Sequence, residues 1–391
     1  MSKIYFDHSA TTPLDTEVFK AMRPYFTKDF GNASSVHSFG QKTAKAIDQS
    51  RQKIAKFLNC QPEEIIFTSG ATEADNLALQ GIVKASKIKK PHIITSQIEH
   101  PAILEPAKEL KKQGLEVTYL PVTKKGLIKV EEVKKSVKEN TVLISVMYVN
   151  NEVGTIQPIA EIGQAISGLN KKRKNKIYFH TDAVQAANYC EMGVKKLNVD
   201  LLSVSGHKIY GPKGIGLLYV KKGTLIKPIE HGGHQELGIR PGTLNVSGIV
   251  GLGKAIEILS NKLTKNQNKK IKELRDFLID QALKKIPKTQ VNGDLDNRVE
   301  SNANFSFSNA EGESILLMLD MQGIAVSTGS ACSSGSLEPS HVLSAMGISD
   351  DLAHGSLRIT LGRQNTKTEI DKLLDVLPDI IKRLRRMSPV K

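Results

Sequence analysis

The most informative segment of this 391-residue chain is Asp200-Leu201-Leu202-Ser203-Val204-Ser205-Gly206-His207-Lys208. Its first half is apolar and has the length of a buried strand, and its second half is a small polar turn that ends on a lysine. Because burial disfavours the charged form of an amine, a lysine at the end of a strand can act as a Schiff-base nucleophile. A solvated turn is the alternative interpretation, and residues elsewhere in the chain distinguish the two.

Short apolar runs rich in β-branched residues recur along the chain, and segments with helical periodicity separate several of them. The runs are 65–68, 92–95, 116–120, 142–149, 177–182, 201–205 and 216–220. Such alternation predicts an α/β fold with a mainly parallel sheet covered by helices. The length of the chain exceeds what one hydrophobic core usually organises. We therefore predict a large domain of residues 16–261 and a smaller α+β domain formed by residues 1–15 and 262–391.

Composition excludes several classes of protein. No run approaches the roughly 18 apolar residues of a membrane-spanning helix. The net charge of +15 is spread over many segments and Trp is absent, which favours a lysine-rich surface over a nucleic-acid site. Three scattered cysteines are too few for a disulfide framework or a zinc cluster, so no metal is expected. With no apolar signal segment at the start of the chain, a cytoplasmic location is expected.

Polar residues follow several of the predicted strands, where open α/β sheets bind their ligands. The turn 69–74 opens a helix with small residues and hydroxyls, which suits a phosphate, although an ordinary helix cap is the alternative. Asp182 ends a strand, with Gln185 about one helical turn further on. A carboxylate there can hold a pyridinium nitrogen protonated, as pyridoxal phosphate requires, or it can cap a helix. Asp182 and Lys208 end successive strands, so we expect both at one edge of the sheet.

Two further residues follow predicted strands. His100 could stack on a cofactor ring and transfer protons, and Asn151 could donate to a substrate carboxylate or a ring oxygen. Taken alone, a surface histidine and a turn asparagine are the alternatives.

Three motifs together resemble the cysteine desulfurases, pyridoxal-phosphate enzymes of the NifS/IscS-like group. They are Thr181-Asp182-Ala183-Val184-Gln185, Ser205-Gly206-His207-Lys208-Ile209-Tyr210-Gly211-Pro212-Lys213-Gly214 and Ser327-Thr328-Gly329-Ser330-Ala331-Cys332-Ser333-Ser334-Gly335. The similarity runs from Tyr5 to Arg363, and several long motifs in the right order make it specific.

The resemblance implies a role for each matching residue. Lys208 would form the Schiff base with the cofactor, Asp182 would pair with the pyridine nitrogen, Gln185 would bond the ring hydroxyl oxygen and His100 would stack on the ring. The phosphate would be held by Ala71, Thr72, Ser205 and His207, and by Thr243 of a neighbouring subunit, which implies a homodimer. Asn151 and Arg358 would bind the substrate carboxylate, since Arg suits a bidentate grip.

The same resemblance implies the reaction. L-Cysteine would become L-alanine, and Cys332, in a Ser/Gly-rich segment that suits a flexible loop, would carry the sulfur as a persulfide to an acceptor protein. Iron-sulfur cluster assembly and tRNA thiolation are equal candidates for the acceptor pathway, because the short C-terminal segment after Arg386 resembles members without a scaffold-docking tail. Selenocysteine lyase, aminotransferase or kynureninase chemistry, and a non-catalytic sulfur-delivery protein, are the alternatives.

Overall fold

The computed structural model describes residues 3–329 and 339–388. Its strands are β1 (Ile4–Tyr5), β2 (Ile65–Thr68), β3 (His92–Ser96), β4 (Glu116–Leu120), β5 (Thr141–Ser145), β6 (Tyr178–Asp182), β7 (Leu201–Ser205), β8 (Gly216–Val220), β9 (Thr289–Val291), β10 (Asn302–Phe307), β11 (Ile324–Ala325) and β12 (Ser356–Thr360). Its helices are α1 (Thr16–Met22), α2 (Pro24–Thr27), α3 (Ser38–Leu58), α4 (Ala71–Ala85), α5 (Pro101–Lys112), α6 (Val130–Ser136), α7 (Ile159–Asn170), α8 (Val194–Leu197), α9 (Val246–Leu259), α10 (Lys262–Lys285), α11 (Gly312–Asp320), α12 (His341–Ala345), α13 (Asp350–His354) and α14 (Lys367–Met387). Cys332 lies outside the described residues.

A seven-stranded sheet in the order β2-β8-β7-β6-β5-β3-β4 forms the centre of the molecule. Strands β7, β6, β5, β3 and β4 pair in parallel, whereas β8 runs antiparallel to both of its neighbours. Strand β2 therefore points the same way as β7, and β8 alone is reversed in this sheet. The predicted mainly parallel α/β fold is confirmed, and the carboxyl ends of six strands meet at one edge.

Alternate side chains of the strands enter two separate apolar cores, as the twofold period of a strand requires. On β7, Leu202 and Val204 pack into one core while Leu201 packs into the other. On β2, Phe67 packs into the first of these cores and Ile66 packs into the second. The central strands are buried on both faces, which explains why they read as continuous apolar runs in the sequence.

The predicted run 142–149 is longer than the strand it contains. Strand β5 ends at Ser145, and Val146 to Val149 remain buried beyond it. At Asn150 the chain turns, because the side-chain oxygen of Asn150 accepts hydrogen bonds from the backbone of Glu152 and Val153. Apolar composition alone therefore overstated the length of this strand.

A third apolar core joins the two ends of the chain. Strand β10 lies between β12 and β9 in an antiparallel sheet, and β1 pairs in parallel with β11. Phe6 from the N-terminal segment packs in one core with Phe305 of β10 and Leu373 of α14. The division into a large domain of residues 16–261 and a smaller domain stays a prediction, which this shared core supports.

Within residues 3–329 and 339–388, no helix combines the length and the apolar character needed to cross a bilayer.

Phe179 offers a test of the central core. Its ring is fully buried on β6, the strand that ends at Asp182. Phe179→Ala should lower the free energy of unfolding by about 3–5 kcal/mol, because it leaves a cavity beneath the sheet. Urea denaturation followed by circular dichroism measures the change. Leu317→Ala on α11, where the side chain is 62% exposed, is the control and should change stability little. An equal loss in both variants would contradict this account of the core.

Candidate active site

A cavity of about 570 Å³ opens at the edge of the sheet where the parallel strands end. Its lining includes ten of the residues singled out in the sequence, namely Ala71, Thr72, His100, Asn151, Asp182, Gln185, Ser205, His207, Lys208 and Arg358. They come from segments far apart in the chain, and the topology of the sheet brings them together. Their individual roles stay predictions, but the structure places all ten around one space.

Lys208 reaches the cavity from a short 3-10 turn, Gly206–Lys208, that follows β7. A Cβ atom at Gly206 would lie 2.8 Å from the carbonyl oxygen of Pro212, so the tight turn requires glycine. The Nζ atom of Lys208 donates to the carbonyl oxygens of Ser9, at 2.5 Å, and Ala10, at 2.7 Å. The N-terminal segment thus holds the lysine amine at the cavity.

Asp182 lies at the end of β6, and its carboxyl group is buried. One oxygen accepts a hydrogen bond from the backbone N–H of Val184 at 2.9 Å. Burial raises the pKa of Asp182 to about 6, although that hydrogen bond and the charge of Lys208 favour the carboxylate. A cationic N–H group beside Asp182 would balance the negative charge of its carboxylate.

A second buried carboxyl group, Asp75 on α4, also lines the cavity. Burial and the nearby Asp182 raise the pKa of Asp75 well above its ordinary value. One oxygen of Asp75 lies 3.5 Å from the Nε2 atom of His180, whose pKa burial lowers to about 3. Acidic groups of this kind suit a protonated pyridine ring in the space in front of them.

The start of α4, which also lines the cavity, suits a phosphate. Helix α4 begins at Ala71, and Gly70 has no side chain with which to cap its first turn. Exposed N–H groups and the helix dipole favour an anion there. Ser205, His207 and Lys213 line the cavity as well, and the Nδ1 atom of His207 lies 3.2 Å from the hydroxyl of Thr11. The start of α4, which suits the phosphate, and the buried acids Asp75 and Asp182, which suit the ring nitrogen, together fit pyridoxal phosphate.

His100 is held in one tautomer by the start of α5. Its Nδ1 atom accepts a hydrogen bond from the backbone N–H of Ala102 at 3.1 Å. Burial, with smaller contributions from the charges of Lys208 and His341, lowers the pKa of His100 to about 4. The imidazole is therefore neutral at pH 7, and its proton resides on Nε2.

Arg358 on β12 is the buried cation of the site. Its guanidinium donates to the carbonyl oxygen of Asn151 at 3.0 Å and to the carboxylate of Asp7 at 2.9 Å. The Nε atom of Arg358 is buried and makes no hydrogen bond within the described part of the chain. Such a fixed cation with an unused donor fits a small carboxylate ligand.

Sequence reasoning missed several residues at the site. Asp7, Ser9 and Ala10 hold Arg358 and Lys208 in place, Asp75 lines the cavity, and Glu99 is a buried acid that directly precedes His100. Ser9 and Ala10 act through backbone carbonyls, which carry no side-chain signal in the sequence. Asp75 and Glu99 do carry a signal in the sequence, because a carboxylate among the apolar residues of predicted strands and helices is unusual.

The structure does not place two of the predicted residues at this cavity. Thr243 is exposed and does not line it, and its expected contact with a neighbouring subunit stays a prediction. Cys332 belongs to the part of the chain that is not described. Cys60 and Cys190 are free thiols, and burial raises the pKa of each to about 12, which disfavours the reactive thiolate.

Residues 4–373 match the family model of the class-V aminotransferases, and the chain belongs to that family. The chain is 51% identical over 389 residues to a cysteine desulfurase IscS of Dictyoglomus turgidum, covering all of this chain and 97% of the relative. It is 51% identical to a cysteine desulfurase IscS of Methanosarcina thermophila, covering 99% of this chain and 94% of that protein. Within class V, the chain is thus a member of the cysteine desulfurases, which confirms the resemblance seen in the sequence.

Solved structures agree with this placement. A NifS-like protein superposes with a TM-score of 0.91 at 37% identity and covers 97% of this chain and 100% of its own. The structure of SspA in complex with cysteine superposes with a TM-score of 0.81, also at 37% identity, and covers 93% of this chain and 100% of its own.

Glu99 allows a test of the acidic interior. Burial raises its pKa to about 8, so the folded protein keeps a proton that the unfolded chain releases above about pH 5. The stability of the wild type should therefore fall as pH rises from about 5 to about 8. Glu99→Gln lacks this titration and should gain roughly 3–5 kcal/mol relative to the wild type across that window.

Chemical denaturation of the cofactor-free protein at several pH values measures this difference. Glu105→Gln, at an exposed position of α5 that pairs with Lys108, is the matched control. Parallel stability curves for wild type and Glu99→Gln would refute a raised pKa at Glu99.

Proposed function

We propose that this cysteine desulfurase converts L-cysteine into L-alanine and stores the released sulfur as a persulfide on Cys332, with pyridoxal phosphate as cofactor. The observation that carries the proposal is the convergence of Lys208, Asp182, His100 and Arg358 on one cavity. Such chemistry needs an amine, a carboxyl group for the ring nitrogen, a neutral imidazole and a buried cation. The relatives named cysteine desulfurase, which are 51% identical to this chain over nearly its whole length, support the proposal.

Each part of the cavity has a proposed role in holding the cofactor. Lys208 would bond to it covalently, Asp182 would pair with its ring nitrogen, Gln185 would bond its ring hydroxyl oxygen and His100 would stack on its ring. Ala71, Thr72, Ser205 and His207 would hold its phosphate at the start of α4, and Thr243 of a second subunit would complete the site in a homodimer. When bound, pyridoxal phosphate withdraws electrons from the α-carbon of an amino acid and so weakens the bonds around that carbon.

Arg358 fixes the substrate by its carboxylate. The contacts of Arg358 with Asp7 and Asn151 hold the guanidinium in place before the substrate arrives, so little conformational entropy is lost on binding. Asn151 contributes a further polar contact to the substrate carboxylate.

Lys208 and His100 move the protons. With the substrate bound, the amine of Lys208 would take the α-proton of the substrate. His100 presents an N–H at Nε2, because its Nδ1 atom is occupied by the backbone of Ala102. It can donate this proton and recover one during the reaction without becoming a stable cation, since burial disfavours its charged form.

Cys332 takes the sulfur. Its thiolate attacks the substrate sulfur, a sulfur-sulfur bond forms and the carbon-sulfur bond breaks. The electron pair of the broken bond stays with the substrate carbon, which gains a proton and becomes the methyl group of alanine. L-Cysteine and the Cys332 thiol thus give L-alanine and the Cys332 persulfide with no external oxidant or reductant.

The persulfide sulfur passes to an acceptor protein in the cytoplasm. Iron-sulfur cluster assembly and tRNA thiolation are the two acceptor pathways we propose, and IscS as the name of several relatives is compatible with both. The strongly basic composition, with a net charge of +15, favours an acidic acceptor surface.

Lys208→Ala should abolish alanine formation, because it removes both the covalent attachment and the group that takes the α-proton. Borohydride reduction followed by peptide mass spectrometry should fix pyridoxal phosphate to Lys208 in the wild type and to no peptide in the variant. Lys222→Ala, at an exposed position just beyond β8, is the control and should behave as the wild type. Cofactor attached to another lysine in the wild type would contradict the assignment.

Cys332→Ala should keep the yellow cofactor and its spectral response to L-cysteine, yet lose persulfide formation and thiol-dependent sulfide release. Cys60→Ala and Cys190→Ala are matched controls, since burial keeps both thiols protonated. Sulfide assays and mass spectrometry of the alkylated protein report the outcome. Normal sulfide release from Cys332→Ala would sink the proposal, and a keto acid in place of alanine would point to transamination.

A further inference from the structure

Glu152 is a buried acid that the proposed reaction does not use. Its side chain does not line the cavity, yet it follows Asn151 directly in the chain. One carboxyl oxygen accepts a hydrogen bond from the hydroxyl of Ser340 at 2.5 Å. Burial raises the pKa of Glu152 to about 7, against the opposing effects of Ser340 and the charge of Arg358. Because burying an acid costs free energy, we expect Glu152 to have a structural or functional role.

The same carboxyl group lies directly against Gly329. A Cβ atom at Gly329 would lie only 2.4 Å from Oε2 of Glu152, so no larger residue fits without movement. Oε2 is also the atom that accepts from Ser340. One oxygen atom therefore contacts both Gly329 and Ser340.

Gly329 and Ser340 flank the segment that contains Cys332. Cys332 is three residues beyond Gly329 in the sequence, and Ser340 caps the start of α12 through the backbone N–H of Leu343. The two flanks are eleven positions apart in the chain, yet both meet at Glu152.

Glu152 is itself fixed to the part of the site that holds the substrate. Its carbonyl oxygen accepts hydrogen bonds from the side chains of Asn302, at 3.0 Å, and Asn304, at 3.1 Å, both on β10. The preceding residue, Asn151, holds the guanidinium of Arg358 through its own carbonyl. The backbone of Ser327 also pairs with the backbone of Arg358. A short chain of contacts therefore joins the flanks of the Cys332 segment to Arg358.

We propose that Glu152 is a positioning residue for sulfur transfer, which holds the two flanks of the Cys332 segment in a fixed place relative to the substrate-binding Arg358. The inference rests on the proposed function, because it assigns the segment the task of bringing Cys332 to the substrate sulfur. Glu152 touches neither substrate nor cofactor and acts through Gly329 and Ser340. Its loss should therefore affect the step at Cys332 and leave earlier steps intact.

The test separates these steps in the cofactor-loaded enzyme. Glu152→Ala should bind pyridoxal phosphate fully, show the normal spectral change with L-cysteine and keep its KM within about twofold. Its single-turnover rate of Cys332 persulfide formation should fall by about 10- to 100-fold, as expected when a reacting group is misplaced by about 1 Å. Glu152→Gln should recover most of the rate, because its amide oxygen can still accept the hydrogen bond from Ser340.

A double-mutant cycle tests whether the contact with Ser340 carries the effect. Ser340→Ala should slow persulfide formation, and Ser340→Ala combined with Glu152→Ala should cost no more than Glu152→Ala alone. Thr366→Ala is the matched control, because Thr366 caps helix α14 in the same way and does not line the cavity. It should lose about 1 kcal/mol of stability without a change in rate.

Three results would overturn the inference. One is an unchanged persulfide rate in Glu152→Ala, and another is an additive cycle with Ser340. The third is a parallel loss of cofactor binding, KM and rate in both Glu152→Ala and Glu152→Gln, which would indicate a folding defect. In each case the wild type still forms the persulfide, so the proposed function survives; a wild type without persulfide on Cys332 would instead remove the proposed function and this inference together.

Discussion

The parallel pairing of β6 with β7 sets the geometry on which the site depends. Asp182 lies opposite Ser203 in this pair, so the end of β6 and the turn after β7 emerge side by side at one edge of the sheet. The turn brings Lys208 to the same edge as Asp182, and the ends of β2, β3 and β5 add the start of α4, His100 and Asn151 to it. A ligand at this edge meets residues that follow five of the seven strands, and such a position is general for ligands of open α/β folds.

Buried charge is the main energetic cost of this arrangement. Asp75, Asp182 and Glu99 are acids in an apolar interior, and burial raises the pKa of all three. Lys208, Lys213 and Arg358 are cations at the cavity, and Lys208 and Arg358 are already engaged by oxygen atoms of the chain. A cofactor with a cationic ring at one end and a phosphate at the other matches this distribution, because each end meets groups of opposite character.

Much of the fold could be predicted from the sequence. Runs 65–68, 201–205 and 216–220 coincide with strands β2, β7 and β8, because fully buried strands are continuous apolar runs bounded by turns. Run 116–120 coincides with the edge strand β4, of which only Leu120 is buried. The reversal of β8 could not be predicted, since its composition is that of its parallel neighbours. Its direction follows from the short connection after Lys208, which returns the chain beside β7.

The sequence by itself determined which chemical groups are present and, through its motifs, the family to which the chain belongs. It placed Lys208, Asp182 and His100 after strands, and the structure brings these three to one cavity. Only the tertiary structure decided what holds them there: the carbonyls of Ser9 and Ala10 at Lys208, Asp7 at Arg358, and Glu152 between Gly329 and Ser340. These contacts join residues far apart in the chain or use backbone atoms common to every residue type, so local sequence patterns cannot encode them.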